Sequence, residues 1–274
     1  MANPESTDVG LRELALFAGA GGGILGGELL GWRTVCAVEI EPYPACVLAQ
    51  RQNDGLLPPF PIWDNVCTFD GRPWRGRVDV VSGGFPCQDI SAAGKSAGIT
   101  GEKSGLWMEM ARIIGEVRPR YVFVENSPML TSRGLGIVLG DLAAMGFNAK
   151  WGILGAADVG AFHIRKRIWI VADSNRDDRG ANEREPDAWA NGRHKPSWSS
   201  RDVADTESKG SSCRWRKVGT GAQHAGSSGS SWWETEPDVG RVVDGMAARV
   251  DRIKAIGNGQ VPQCAAMAWK FLSG

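Results

Sequence analysis

The chain lacks any long apolar run. None of its 274 residues belong to a stretch approaching the roughly 20 apolar residues of a membrane-spanning helix. Residues 1–8 are polar, without the charged-then-apolar pattern of a secretory leader. There is no Cys-x-x-Cys pair, and only three histidines accompany six scattered cysteines, at 36, 46, 67, 87, 213 and 264. That argues against a structural zinc site and against a secreted disulfide framework, so no metal is expected and a reducing, cytoplasmic location fits best. An excess of positive charge is also missing. Lys plus Arg and Asp plus Glu both number 31, where a nucleic-acid binder usually carries a basic surplus. Distribution qualifies this: residues 209–217 hold four basic residues, no acidic ones and Trp215, and Arg165-Lys166-Arg167 forms a second cluster.

What is present is ordinary globular composition, with 42% hydrophobic and 23% charged residues. The length suits one large domain, or one large and one small. Residues 11–17, 34–40, 78–82 and 120–124 read as strands. Helical patterns cover 24–30, 42–52, 106–117 and 135–145, and residues 151–154 and 168–171 read as a strand pair. This alternation predicts an α/β fold with a doubly wound, mostly parallel sheet. From residue 173 to about 231 the chain is rich in Ser, Gly, Asp, Asn and Arg and poor in Leu, Ile, Val and Phe. Trp189, Trp198, Trp215, Trp232 and Trp233 punctuate it. It is either a disordered insertion or a small module whose tryptophans form a minimal core. Helical pattern returns after residue 240, with a last helix over about 262–271. The expected domains are therefore 1–172 plus 239–274, and 173–238.

The most informative stretch is Val80-Val81-Ser82-Gly83-Gly84-Phe85-Pro86-Cys87-Gln88. An apolar strand runs into two glycines and a proline and delivers a thiol at its carboxyl end, where open α/β sheets bind ligands. Pro86 fixes its own φ and biases Phe85 towards an extended shape, so the turn is stiff. A buried cysteine of no reactivity would read the same locally. Gly21-x-Gly23-x-x-Gly26 with Glu39 at the second strand's end matches a dinucleotide fingerprint. It does not choose between NAD and S-adenosylmethionine, and a glycine turn that merely eases helix–strand packing would look alike. Glu125-Asn126 follows Tyr121-Val122-Phe123-Val124, and an adjacent parallel strand would bring this carboxylate near Cys87 as base or hydrogen-bond partner. Arg165 and Arg167 stand two residues apart, with Lys166 between them and Ile164 and Ile168 on either side. On a strand they would share a face and depress a nearby thiol's pKa, or simply line an exposed sheet face.

Phe17-Ala18-Gly19-Ala20-Gly21-Gly22, Gly84-Phe85-Pro86-Cys87-Gln88, Glu125-Asn126, Arg165-x-Arg167 and Gly257-Asn258-Gly259-Gln260-Val261-Pro262 occur in that order. In this the chain resembles the DNA (cytosine-5-)-methyltransferase family over nearly its whole length. The resemblance implies a Rossmann-like catalytic domain with a small inserted target-recognition domain. S-adenosylmethionine would be the cofactor, and duplex DNA with a flipped-out cytosine the substrate. Phe17, Ala18, Gly19, Gly21, Gly22, Glu39, Ile40, Asp64, Pro86 and Asn258 would form the cofactor site. Phe17 would stack on the adenine, Glu39 would hold the ribose and Asp64 would meet the adenine amino group. Cys87 would be the nucleophile, Glu125 would contact the cytosine ring, and Arg165 and Arg167 would complete the catalytic set. Residues 88–104, with Gly94, Gly98 and Gly101, would close over the base, and Arg201 and residues 209–217 would meet DNA. A monomer is expected, with a cognate restriction endonuclease as an optional companion. Departures from the family pattern are Asp89, Ser127-Pro128 and His163-Ile164. An RNA cytosine methyltransferase, a catalytically silent DNA-binding relative and an NAD-dependent dehydrogenase are the rival readings.

Overall fold

The computed structural model describes residues 10–86, 105–174 and 249–274. Cys87, residues 88–104, Arg201, residues 209–217 and all but the first two residues of segment 173–238 lie outside the described residues.

Five parallel strands build the sheet's centre: β1 (Arg12–Leu16), β2 (Arg33–Val38), β3 (Ile62–Trp63), β4 (Val80–Gly83) and β5 (Tyr121–Asn126). β6 (Asn148–Leu154) and β7 (Arg167–Asp173) complete it in the order β3-β2-β1-β4-β5-β7-β6. β7 is antiparallel to both β5 and β6, so the expected strand pair is a hairpin-like ribbon on the edge of a parallel sheet. The chain runs outward from β1 through β2 to β3, then returns to β4 and continues the other way. The strand order therefore reverses between β1 and β4, which is where such sheets open a ligand crevice.

Helices α1 (Gly22–Glu28) and α7 (Pro262–Ser273) cover one face. α3 (Gly105–Val117) and α5 (Leu135–Ala144) cover the other. α3 buries Trp107, Met110, Ala111, Ile113, Ile114 and Val117, the stripe expected of 3.6-residue spacing, against β-strand valines and leucines. α7 starts at Pro262, whose missing N–H costs nothing at the first helical position. It sets Trp269 edge-on to Trp32 at 4.6 Å and to Phe123 at 5.6 Å. Such pairs add about 0.5–1.5 kcal/mol to the area they bury. The C-terminal helix is thus part of the core built on this sheet, although residues 174–261 separate it from β7 in sequence.

The remaining helices are α2 (Pro42–Asn53), the short α4 (Leu130–Arg133) and α6 (Arg249–Asn258). α6 continues through Gly257 and ends at Asn258. The two-residue β3 and α4 carry too little periodicity to be visible in the sequence. Asp173, placed by composition in the insertion, closes β7 opposite Tyr121.

Candidate active site

A small cleft opens at the reversal point, the place where open α/β sheets bind ligands. Phe17, Ala18 and Gly19 after β1, Ser82 to Gly84 from β4, Glu125 from β5 and Asn258 to Gln260 after α6 line it. The β1–α1 turn is locally strained. Phe17 sits at φ 52°, a conformation an aromatic residue rarely adopts, and Gly19 follows at φ 54°. Added atoms at Gly19 would meet nothing within 4 Å, so its backbone is open to a ligand.

The other glycines of the loop have a different task. A Cβ at Gly22 would lie 2.2 Å from the Gln260 carbonyl oxygen, and one at Gly26 would lie 2.7 Å from Ala265 Cβ. They let the chain's last segment pack on α1. The glycines of this turn thus differ in their surroundings: Gly19 faces open space, whereas Gly22 and Gly26 serve packing.

Glu39 follows β2 and accepts from the backbone N–H of Gly19 at 2.6 Å and of Glu41 at 2.8 Å. The carboxylate is thereby fixed beside the open glycine. Ile40 next to it is 66% exposed, an apolar side chain left out of the core at the same sheet edge. Asp64 stands one residue past β3 and accepts from the N–H of Asn65, with its neighbour Trp63 paired to Val38. Arg112 of α3 donates to the carbonyls of Val66 and Phe69 and so pins the loop that carries Asp64. An open glycine backbone, a held carboxylate and an exposed aliphatic side chain along one edge form a cradle that fits an adenosine-containing group.

The second half of the site centres on Glu125. It is 8% exposed at the end of β5, and parallel pairing of β4 with β5 sets it beside Gly84. Arg167 Nε donates to Oε1 at 2.8 Å, and the Gln260 side chain supplies a further hydrogen bond. Burial pushes the carboxyl up to about 7, against the opposing pull of Arg167, Arg165 and Gln260. Asn126 Nδ2 donates to the Phe85 carbonyl at 3.1 Å, while Phe85 packs on Trp107 at 5.4 Å. Asn126 and Trp107 therefore hold the turn that leads through Pro86 to Cys87.

Arg165 corrects an expectation. It precedes β7 rather than lying on it, at φ 23°, so it does not alternate along a strand with Arg167. Its guanidinium donates to the carbonyls of Gly257, at 2.7 Å, and Gly259. It staples the α6–α7 junction to the site and still bears electrostatically on Glu125. Gln260 was quoted in the sequence without a role, yet it touches Gly22, Gly23, Gly84 and Glu125. Its signal was position alone: a polar amide between a glycine and the helix-starting Val261-Pro262.

The fold is that of an α/β protein of the Rossmann-like methyltransferase class. The family model for C-5 cytosine-specific DNA methylase matches residues 11–263, and the chain belongs to that family. It is 32% identical over 163 residues to the type II methyltransferase M.CviJI of Paramecium bursaria Chlorella virus IL3A, covering 59% of this chain and 42% of that one. It is 32% identical over 166 residues to the type II methyltransferase M.NgoMIV of Neisseria gonorrhoeae, covering 59% and 51%. The chain thus spans about half or less of the length of these curated relatives. The solved methyltransferase EhMeth of Entamoeba histolytica shares the fold, with a TM-score of 0.53 at 16% identity over 64% of this chain and 56% of that one. Among the described residues no helix is long and apolar enough to cross a membrane.

Proposed function

We propose that the chain methylates carbon 5 of a cytosine in duplex DNA, with S-adenosylmethionine as methyl donor and Cys87 as nucleophile. The observation that carries this reading is the Glu125 site. A buried carboxyl, bonded by Arg167 and Gln260, stands beside the glycine turn that precedes Cys87 by three residues.

Carbon 5 of cytosine is too weak a nucleophile to take a methyl group unaided. Attack by the Cys87 thiolate on carbon 6 forms a C–S bond and moves the ring's electrons onto carbon 5 and nitrogen 3. Glu125, whose carboxyl burial raises to about 7, donates in its protonated form to nitrogen 3 and stabilises the charge that develops there. Arg167 orients Glu125, and Arg165 fixes the junction that closes the site from the C-terminal side. Bound S-adenosylmethionine supplies an electrophilic methyl group. Loss of the carbon 5 proton and of the thiolate then restores the aromatic ring. Glu39, Gly19, Phe17 and Ile40 would hold the cofactor's adenosine, with Asp64 at its far end and Asn258 closing the cleft. A base stacked in a duplex cannot reach this cleft, so the cytosine must be flipped out. Residues 173–238 would form the target-recognition module, and residues 88–104 the segment that covers the base.

The test is incubation of the full chain with duplex DNA of varied sequence and methyl-labelled cofactor, beside transfer RNA as a control. Label at carbon 5 of cytosine in DNA is expected. Cys87→Ser should bind cofactor as before but lose transfer by orders of magnitude, because an alkoxide is not accessible near neutral pH. Near-normal turnover by that variant would remove Cys87 from the role.

A further inference from the structure

Glu13 is a carboxylic acid buried in the middle of the sheet, 1% exposed, and the chemistry above makes no use of it. It points from β1 towards the α1 face, where a Cβ at Gly27 would lie 3.3 Å from its Oε2. Thr34 of β2 donates its hydroxyl to Oε2 at 2.7 Å, and Ser82 of β4 donates its hydroxyl to Oε1 at 2.6 Å. Three adjacent strands therefore meet at one carboxyl. Ser82 is also a wall of the cleft, so Glu13 lies one hydrogen bond behind the cleft floor.

Among the described residues this carboxyl has no oppositely charged partner. The site's other two carboxyls are compensated, Glu125 by Arg167 and Arg165, and Glu39 by two backbone N–H groups. Glu13 is met by two neutral hydroxyls and by the like charge of Glu28 on α1. The remaining charged groups on the packed elements are engaged or turned away. Arg12 on β1 pairs with Asp79 before β4, while Arg33 on β2 and Lys270 on α7 are exposed. Cys264 of α7 is buried and its thiol is held neutral by desolvation.

The hydroxyls couple the protonation of Glu13 to the cleft. An ionised carboxyl can only accept, so both hydroxyl protons must point at it and Ser82 offers its lone pairs to the cleft. A protonated carboxyl donates its own proton to one of these oxygens, and with the proton on Oε1 it is Ser82 that must accept, which reverses that polarity. The O···O separations of 2.6 and 2.7 Å make both hydroxyls direct hydrogen-bond partners of the carboxyl.

We propose that Glu13 is a positioning and charge-selecting residue for the cofactor. Acting through Ser82, its ionised form makes the cleft floor negative and favours the cationic sulfonium of S-adenosylmethionine over the neutral sulfur of its product, S-adenosylhomocysteine. This rests on the cofactor reading given above. The two molecules differ only in a methyl group and the charge it brings, so the ratio of their affinities isolates the effect. Burial pushes Glu13 up to about 7, which puts the switch between ionised and neutral forms near physiological pH. Binding of the sulfonium then draws the proton off, whereas binding of the thioether leaves it in place.

Calorimetry on the full chain tests this with both ligands, from pH 6 to 8.5, in buffers of different ionisation enthalpy. S-adenosylmethionine should release a proton and bind about tenfold more tightly at the upper end, the order expected of one partly screened charge. S-adenosylhomocysteine should change less than about twofold over the same interval. Glu13→Gln should flatten the pH dependence and reduce the ratio of affinities, and Ser82→Ala should weaken the same preference. The wild-type proton count needs no variant, so a poorly folded substitution does not decide the matter. A pH-independent ratio in the wild type, or a pH dependence that survives Glu13→Gln and so belongs to another group, would overturn the proposal. If neither ligand binds, the cofactor reading itself fails.

Discussion

Gly84 and Glu125 compete for one space: a Cβ at residue 84 would lie 2.7 Å from Glu125 Oε2 and 3.2 Å from Gln260 Nε2. The glycine is what lets the carboxyl lie flat against β4. Gly84→Ala should therefore push Glu125 and Gln260 aside while leaving the apolar layers intact. We expect methyl transfer to fall about 100-fold, the penalty typical of a reactive group displaced by ~1 Å. A thermal melt close to the wild type alongside that loss would place the effect in the site. Undiminished transfer would show that the carboxyl's position does not matter.

Glu125 should also shape the pH profile. Its carboxyl is raised to about 7 by burial, and the proposed chemistry uses the protonated form. Activity should therefore decline as pH rises above about 7 on this account, while ionisation of the thiol acts in the opposite sense. Glu125→Gln keeps a donor at this place but cannot ionise. It should lower turnover roughly 100-fold and remove the alkaline decline. Single-turnover rates across pH 5.5–9 would show this, and an unchanged alkaline limb would assign it to another group.

Much of this arrangement could be read from the chain beforehand, and the rest could not for identifiable reasons. Long amphipathic or apolar elements such as α3, α7 and β5 announce themselves by period, and Glu125 was legible because a carboxylate directly ends an apolar strand. The two tasks of the glycine loop were not separable, since Gly19 and Gly22 look alike until the final segment is seen packing on one and not the other. The Arg165-x-Arg167 alternation misled because strand spacing does not specify where a strand begins, and Arg165 falls two residues short. Gln260 gains its role from Gly84 and Glu125, which lie more than 100 residues away in the chain. Glu13 was hidden as one charge inside a strand pattern, where only the neighbouring hydroxyls reveal that it points inward.

The staple made by Arg165 gives a prediction about affinity rather than chemistry. Its two donations hold the carbonyls of Gly257 and Gly259, on either side of Asn258. Arg165→Ala should free this junction and weaken S-adenosylmethionine binding roughly tenfold, the scale of losing charge-assisted hydrogen bonds. Arg165→Lys, a single ammonium without the planar fork, should recover only part of that loss. Equilibrium binding measured without DNA isolates the effect. Equal affinities in all three proteins would show that the junction is held by other contacts.

Glu13 carries a stability prediction separate from its proposed effect on the cofactor. Burial raises its pKa from the ordinary carboxyl range to about 7, so folding favours the protonated form. The protonated group's contribution is complete below about pH 4.5 and is lost as pH rises through about 7. Above that, an ionised carboxyl must be kept in the core with two hydroxyls as its partners. The difference amounts to at most about 3 kcal/mol for a shift of this size. Glu13→Gln removes the titration while an amide can still bond Thr34 and Ser82. Relative to the variant, the wild type should thus be at its most stable near pH 5 and lose ground by pH 8. Denaturant unfolding of both proteins at those two pH values gives the comparison directly. A difference that stays constant, or moves the other way, would mean that Glu13 remains ionised in the fold at both values.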